Sequence, residues 1–308
     1  MPEQTEKYLF GKEKVKMEGM LIGCSQITWS RGTPREQMLA EIVQAGYVGA
    51  PAGPRGDTTA KEVVELYARY GLKPAPGYLG ANFWDEGQRE QILERSKSMA
   101  KFAREMGCTE LYVAAGGFDY KNSKGEQRSQ LAGHVSSEDG LSEAEYEKFA
   151  RVLNEVGEIT LAEGVRSCFH NHVGSVIETR EEIDKLFSMV DRQMVFQGPD
   201  IGHLAWGGAD VVKFCRDYAD SIKTMHTKDI NPAVLKEGVE KKWDYRTFSQ
   251  NGIFAEIGEG FIDFPAIFNI LKDAGFKGWI IVEIDVTQKA TALESAIASR
   301  NYLKSIGI

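Results

Sequence analysis

The sequence predicts a (β/α)8 barrel, on three observations. Eight apolar, strand-like runs alternate with amphipathic helical patterns, the order that builds a parallel sheet. Several helical patterns close on a glycine that leads into the next strand. The chain has 308 residues, enough for one barrel of ~250 residues with insertions. A doubly wound open sheet shares the alternation and is the runner-up.

The strand candidates, in order, are MLIGCSQITW (20–29), YVGAPAG (47–53), LKPAPGY (72–78), TELYVAAGG (109–117), VRSCFHNH (165–172), MVFQGPDIG (194–202), IKTMHTKDI (222–230) and WIIVEID (279–285). The helical patterns cover 34–46, 60–71, 88–107, 141–164, 179–190, 208–221, 263–275 and 291–305. Gly46, Gly71, Gly107, Gly164 and Gly275 stand where a helix ends in the left-handed conformation, which costs glycine least. Thr33, Thr59 and Thr179 are expected N-caps. Residues 1–19 read as a solvated tail and 20–308 as one domain. Two connections, 117–140 and 231–262, exceed the usual loop length. In a barrel both rise from the C-terminal face, where active sites lie.

The composition, 42% hydrophobic and 27% charged, is that of an ordinary globular protein. No apolar run approaches the ~18 residues of a membrane helix, and the N-terminal residues lack an apolar signal core. A net charge of −8 without a basic cluster argues against nucleic-acid and anionic-membrane partners. Cys24, Cys108, Cys168 and Cys215 have no CxxC spacing and lie in or beside apolar runs. Buried free thiols in a reducing cytoplasm are expected.

Four of the five histidines fall between residues 170 and 226, three of them in strand-like runs that end in polar residues. Residues two apart share a strand face. His170 and His172 therefore point together, with Asn171 opposite; Gly198 pairs with Asp200, His226 with Lys228, and Glu283 with Asp285. If those faces point inward, adjoining strand ends present His170, Asp200, His226 and Glu283 around one spot. That mixed nitrogen and oxygen set suits one divalent ion, Mn2+ or Co2+ foremost, with Zn2+, Fe2+ or Mg2+ as alternatives and Ca2+ disfavoured. A lone strand histidine is ordinarily a satisfied core residue, and Asp200 in PDIGH reads equally as a helix cap. Glu283, after an apolar WIIV run, would be costly to bury without a cation.

Lys228 reads either as a group near a bound anion or carbonyl oxygen, or as half of a solvated loop pair with Asp229. His203 is expected in the loop above Asp200, in reach of a substrate hydroxyl. The GEG at 258–260 is too short for a phosphate loop and reads as a turn into a helix at Asp263, with Pro265 in its first turn. Tyr78, Phe83, Trp84 and Trp29 read either as aromatic walls of the mouth or, equally, as ordinary packing residues.

The segments FHNHVGSVIETREEID, PDIGHLAWGGAD, MHTKDI, GIFAEIGEGFIDF and GWIIVEID resemble the sugar phosphate isomerase/epimerase superfamily of xylose-isomerase-like TIM barrels. Within it they are most similar to inosose (2-keto-myo-inositol) dehydratases. The match covers the C-terminal half and is weaker but collinear before it. It implies that Asp200, His226 and Glu283 are metal ligands, that His170 stands where many relatives have a glutamate, that His203 is the substrate-contacting histidine of a D-x-x-H motif, and that Lys228 is the lysine of an HLKD motif. Two places depart from the pattern. Pro51 stands near an expected second-strand carboxylate, and VAAGGFDY lacks an expected glutamate.

The resemblance implies a metal-dependent lyase acting on a keto-cyclitol or keto-sugar through an enolate. The base would be His170, His172 or Glu283, and the acid His203 or Lys228. Isomerisation or epimerisation of a keto-sugar is the alternative. Cleavage of 3-keto C-glycosides is another, since the catalytic subunit of bacterial C-glycoside deglycosidases also looks similar and implies a small partner subunit. A homo-oligomer is left open. The fifth-strand pair is expected to divide its labour, with His170 on the metal and His172 nearer the substrate.

Overall fold

The computed structural model describes residues 19–308; the expected tail, apart from Gly19, lies outside them. The strands are β1 (Leu21–Cys24), β2 (Gly49–Pro51), β3 (Lys73–Ala75), β4 (Tyr78–Ala81), β5 (Glu110–Ala115), β6 (Arg166–His170), β7 (Val195–Gln197), β8 (Met225–Thr227), β9 (Asp229–Ile230), β10 (Phe254–Ala255) and β11 (Trp279–Val282). They form two parallel arcs, β3-β2-β1-β11-β8 and β4-β5-β6-β7.

The arcs meet at two seams. At the first, β3 and β4 are one stave interrupted at Pro76 and Gly77; β3 pairs with β2 and β4 with β5. Proline cannot donate to a ladder. A Cβ at Gly77 would come within 2.5 Å of the Ala52 carbonyl oxygen, so no side chain fits there. At the second seam, parallel bridges Gln197↔Ile222 and Asp200↔His226 join the end of β7 to β8. Counting β3 and β4 together, eight parallel staves close on themselves, as the alternation predicts.

The interior of the barrel is filled by Ala75, Tyr112, Trp279 and Ile281. Gly49 is required beside them, since a Cβ would lie 2.3 Å from the Trp279 ring. The Tyr112 hydroxyl donates to Thr224 Oγ1 at 2.5 Å, and Thr224 donates to the Trp279 carbonyl at 3.0 Å. This buried chain satisfies the hydroxyls of Tyr112 and Thr224 below the site.

The larger core lies between staves and helices. The helices are α1 (Arg35–Ala45), α2 (Ala60–Arg69), α3 (Arg89–Glu105), α4 (Glu143–Ala162), α5 (Arg180–Met189), α6 (Ile201–Trp206), α7 (Val211–Asp217), α8 (Pro232–Glu240), α9 (Tyr245–Gln250), α10 (Phe264–Asp273) and α11 (Ala292–Ser305). In α4, Tyr146, Phe149, Leu153, Val156 and Thr160 form one buried stripe at helical spacing. Thr59 and Thr179 cap α2 and α5 through reciprocal boxes with Glu62 and Glu182. Thr33 does not cap α1. The residue before a proline is held extended, so the helix starts after Pro34, and Thr33 instead meets the Ser30 hydroxyl at 3.1 Å. The five glycines named as helix ends all have φ between 68° and 91°.

Several expected boundaries shift; the fifth strand ends at His170 and the eighth at Val282. The first strand stops at Cys24 and a 3-10 turn, Gln26–Thr28, follows it. The sixth stops at Gln197, and Asp200 begins α6 rather than continuing the strand. The expected loop 231–262 is built structure: Asn231 caps α8, Asp244 caps α9, and β10 returns antiparallel to β9. Asp229 is not half of a solvated loop pair. It is buried, and its carboxylate accepts from the backbone N–H of Ile230, Gly258, Gly260 and Ile262. The GEG turn is thus wrapped around Asp229, and Pro265 sits in the first turn of α10.

Candidate metal centre

Register brings the ligand candidates together. His226 on β8 pairs with Ile281 on β11 and bridges to Asp200 beyond β7. Glu283 follows Ile281 by two residues and so shares its face. Its backbone N–H donates to the Thr227 carbonyl at 3.0 Å. His170 ends β6, whose Ala114 partner lies on β5. Asn171, facing the other way, clamps the backbone of Asp200: its amide donates to the Asp200 carbonyl and its oxygen accepts the Asp200 N–H. The Asp200 carboxylate caps α6, accepting from the His203 N–H at 3.0 Å through Oδ1. Oδ2 is buried and makes no hydrogen bond.

His170, Asp200 and His226 are all buried and offer one donor atom each within 4.8 Å of one another. His170 Nδ1 and both ring nitrogens of His226 are buried without a hydrogen-bond partner. Burying such groups unsatisfied is costly, so their convergence fits a metal ion. His226 Nδ1 lies 3.5 Å from Glu283 Oε2, a loose approach that leaves the carboxylate beside the cluster. Burial, with His226 and His172 nearby, holds His170 well below the usual imidazole range, in the neutral form that ligates.

Lys228 sits at the centre, fully buried. Its Nζ lies 3.0 Å from Asp200 Oδ2, 3.0 Å from Glu283 Oε1 and 2.5 Å from Asp285 Oδ2. The Asp200 contact is an ion pair without hydrogen-bond geometry, which is why that oxygen remains open. Burial disfavours the ammonium, but the three carboxylates outweigh it and hold Lys228 above its ordinary range. Glu283 is pushed up by burial and pulled further down by Lys228 and His226, ending well below the carboxylate range. Three carboxylates face one ammonium, so the cluster carries negative charge in excess, which a divalent cation would balance.

A second cluster adjoins the first. His172, His203 and Asp285 also offer donor atoms within 4.8 Å of one another. The two imidazole rings lie 3.7 Å apart, centre to centre. His172 is half-buried, and its Nδ1–H donates to the Val173 carbonyl at 2.7 Å, which leaves Nε2 as an acceptor. His203 is buried in the first turn of α6, not in a loop, and its Nε2 lies 3.3 Å from Lys228 Nζ. Burial, His172 and Lys228 together keep His203 neutral. The structure thus groups His170 with Asp200 and His226, and His172 with His203 and Asp285.

The structure divides the four aromatics between the two readings. Tyr78 is half exposed and sets its ring edge-on to His170 at 5.2 Å. Phe83 is buried against Phe149, Trp84 packs on Tyr120, and Trp29 is buried with its indole N–H on Glu41, so these three are packing residues. Phe118 and Tyr245 take the expected wall position, with rings 5.2 and 5.7 Å from His172, and Trp206 stacks on His203. Sequence reasoning missed these, and it left Asp285 out of the site although its alternation with Glu283 pointed there. Tyr245 follows Asp244, whose side chain caps α9, a local signal that could have placed a helix there.

Comparison with known proteins follows the same lines. The chain is 30% identical over 276 residues to an inosose dehydratase of Geobacillus kaustophilus, covering 86% of this chain and 87% of that one. The IOLI protein, solved with a bound zinc atom, superposes with a TM-score of 0.67 at 18% identity, over 94% of this chain and 98% of that one. A probable 3-DHS dehydratase of Bacillus anthracis superposes with a TM-score of 0.68 at 15% identity, over 92% and 99%. The model of the xylose isomerase-like TIM barrel family matches residues 39–306, and the chain belongs to that family.

Proposed function

We propose that the protein is a divalent-metal-dependent lyase that removes water from a keto-cyclitol or keto-sugar. The observation that carries this reading is the pair of adjoining clusters, one suited to hold a cation and one suited to move protons, with Lys228 between them. His170, Asp200, His226 and Glu283 would hold the ion. Once bound, it would supply Lewis acidity toward a ketone oxygen. Two imidazoles and two carboxylates suit Mn2+ or Co2+, with Zn2+, Fe2+ or Mg2+ as alternatives.

His172 is the base in this reading. Its Nε2 is free to accept, it borders the open mouth, and Phe118 and Tyr245 orient its ring. It takes the proton α to the ketone, giving an enolate. Lys228, held by three carboxylates, donates toward the departing hydroxyl, and neutral His203 accepts a hydrogen bond from it. The buried floor of the site limits water access. Four buried, unpaired thiols suit a reducing cytoplasm, and no helix among the described residues is long and apolar enough to cross a membrane.

The test is to incubate metal-loaded protein with 2-keto-myo-inositol, common ketoses and a 3-keto glycoside. Loss of one water, seen by mass spectrometry, with solvent deuterium entering the α position, is expected. Epimer formation or aglycone release without water loss would overturn the lyase reading.

A further inference from the structure

We infer that the mouth carries an anion-binding compartment beside the candidate metal centre, which takes an oxyanion substituent, carboxylate or phosphate, of the substrate. A cavity of about 670 Å³ opens next to Tyr78, the residue whose ring abuts His170. Its walls carry three guanidinium groups, Arg35, Arg55 and Arg95, against one carboxylate, Glu94. Among the described residues, none of these three arginines is in an ion pair, a state they share with Arg31, Arg69, Arg192, Arg216, Arg246 and Arg300; what sets them apart is that they line one cavity together. In a protein of net charge −8 this is a local reversal of sign.

Arg35 is set in place rather than loose. Its guanidinium lies over the Tyr67 ring at 5.5 Å. The Tyr67 hydroxyl donates to the Pro51 carbonyl at 2.8 Å and accepts from the Gln26 amide at 2.8 Å, so the platform under Arg35 is fixed. Arg35 Nε is buried without a hydrogen-bond partner. Guanidinium groups bind planar or tetrahedral oxyanions through paired N–H donors, and a carboxylate or phosphate would satisfy this one. With Tyr78 between cavity and His170, a ketone at the metal centre and a charged group among the arginines can belong to one molecule. The inference rests on the proposed function for the ketone end, and it makes the substrate an acidic or phosphorylated derivative rather than an unsubstituted cyclitol.

The experiment has two arms. In the first, full-length protein, with and without Mn2+, is titrated calorimetrically with inorganic phosphate and with malonate. One saturable site is expected for at least one anion in both forms, weakened about tenfold in Arg35→Gln and in Arg55→Gln, the size of a lost charge-assisted hydrogen bond. Binding seen only with metal present, binding unchanged in both variants, or no saturable binding would overturn the proposal. Arg55 and Arg95 are exposed, so Arg55→Gln and Arg95→Gln guard against a folding defect in Arg35→Gln. In the second arm, kcat/KM is compared for a neutral keto-sugar, its carboxylate analogue and its phosphate ester. A preference for one charged form, reduced about tenfold in Arg95→Gln, is expected and identifies which oxyanion is meant. Equal values for all three would overturn the proposal. Arginine-dependent anion binding without turnover of any ketone would leave the compartment in place and overturn the lyase reading.

Discussion

Asp200 does two things at once, and the two can be separated. Oδ1 caps α6 while Oδ2 faces Lys228 and the imidazoles. Asparagine caps as well as aspartate. Asp200→Asn is therefore expected to keep the fold and to weaken Mn2+ binding by more than the roughly 10- to 100-fold typical of losing an outer partner. Asp200→Ala should lose, in addition, about 1 kcal/mol of stability with the cap. Calorimetric titration and thermal melts in chelator check both. Lys228 is the complementary case. Lys228→Met would leave three carboxylates facing one another in a dry site, and removing one partner of a buried pair costs about 3–5 kcal/mol. The loss should be largest in chelator and shrink when Mn2+ is added. A variant that melts like the parent in chelator would mean that the charges are not held as described.

The segment 117–140 is pinned to the site by buried ionic contacts. Arg128 is fully buried and binds Glu182 through both terminal nitrogens, at 2.7 and 3.0 Å, and the Ser175 carbonyl at 2.9 Å. Arg128→Met should cost about 3–5 kcal/mol, since it strands the Glu182 carboxylate. Glu178 ties the same segment down: it accepts from the Gly133 N–H at 2.7 Å and the Gly174 N–H at 2.6 Å. Burial pushes its carboxyl up to about 7, against the pull of Arg128 and the two N–H groups. A carboxyl whose folded value is raised contributes stability that is full below the unfolded value, near 4.5, and lost as pH rises through the folded one. Between pH 5 and pH 8 the melting temperature should therefore contain a falling component that Glu178→Gln removes. Glutamine offers one acceptor oxygen in place of two, so the variant should melt lower at pH 5 but with a flatter slope. An unchanged slope would show that Glu178 does not titrate in this window.

For the whole molecule, metal binding and stability are linked. An ion held at the ends of the adjacent staves β6, β7, β8 and β11 would bind the native state, and at about 100 times its Kd should add about 2.7 kcal/mol. A scanning melt with rising Mn2+ should shift upward as one transition; a metal-independent melt would contradict a tightly held ion. Much of this was readable in one dimension. Alternation on 165–172 put His170 and His172 on one face, the threonines at 59 and 179 announced their caps, and eight runs between glycine-ended helices announced the barrel. These signals are local, because backbone periodicity and capping depend on residues a few positions apart. The helices within 231–262 were read as a loop: their caps at Asn231 and Asp244 are local signals, but the helices are too short for periodicity to reveal. What the fold alone decided was which groups meet. Lys228 reaches Asp285, 57 residues away, and Phe118 and Tyr245 close on His172 from separate segments. The sequence by itself determined the alternation and the side-chain types that stand near the stave ends. The tertiary structure decided the division of the histidines into two clusters around a buried ammonium, because that depends on register between distant strands and on where β7 gives way to a helix capped by Asp200.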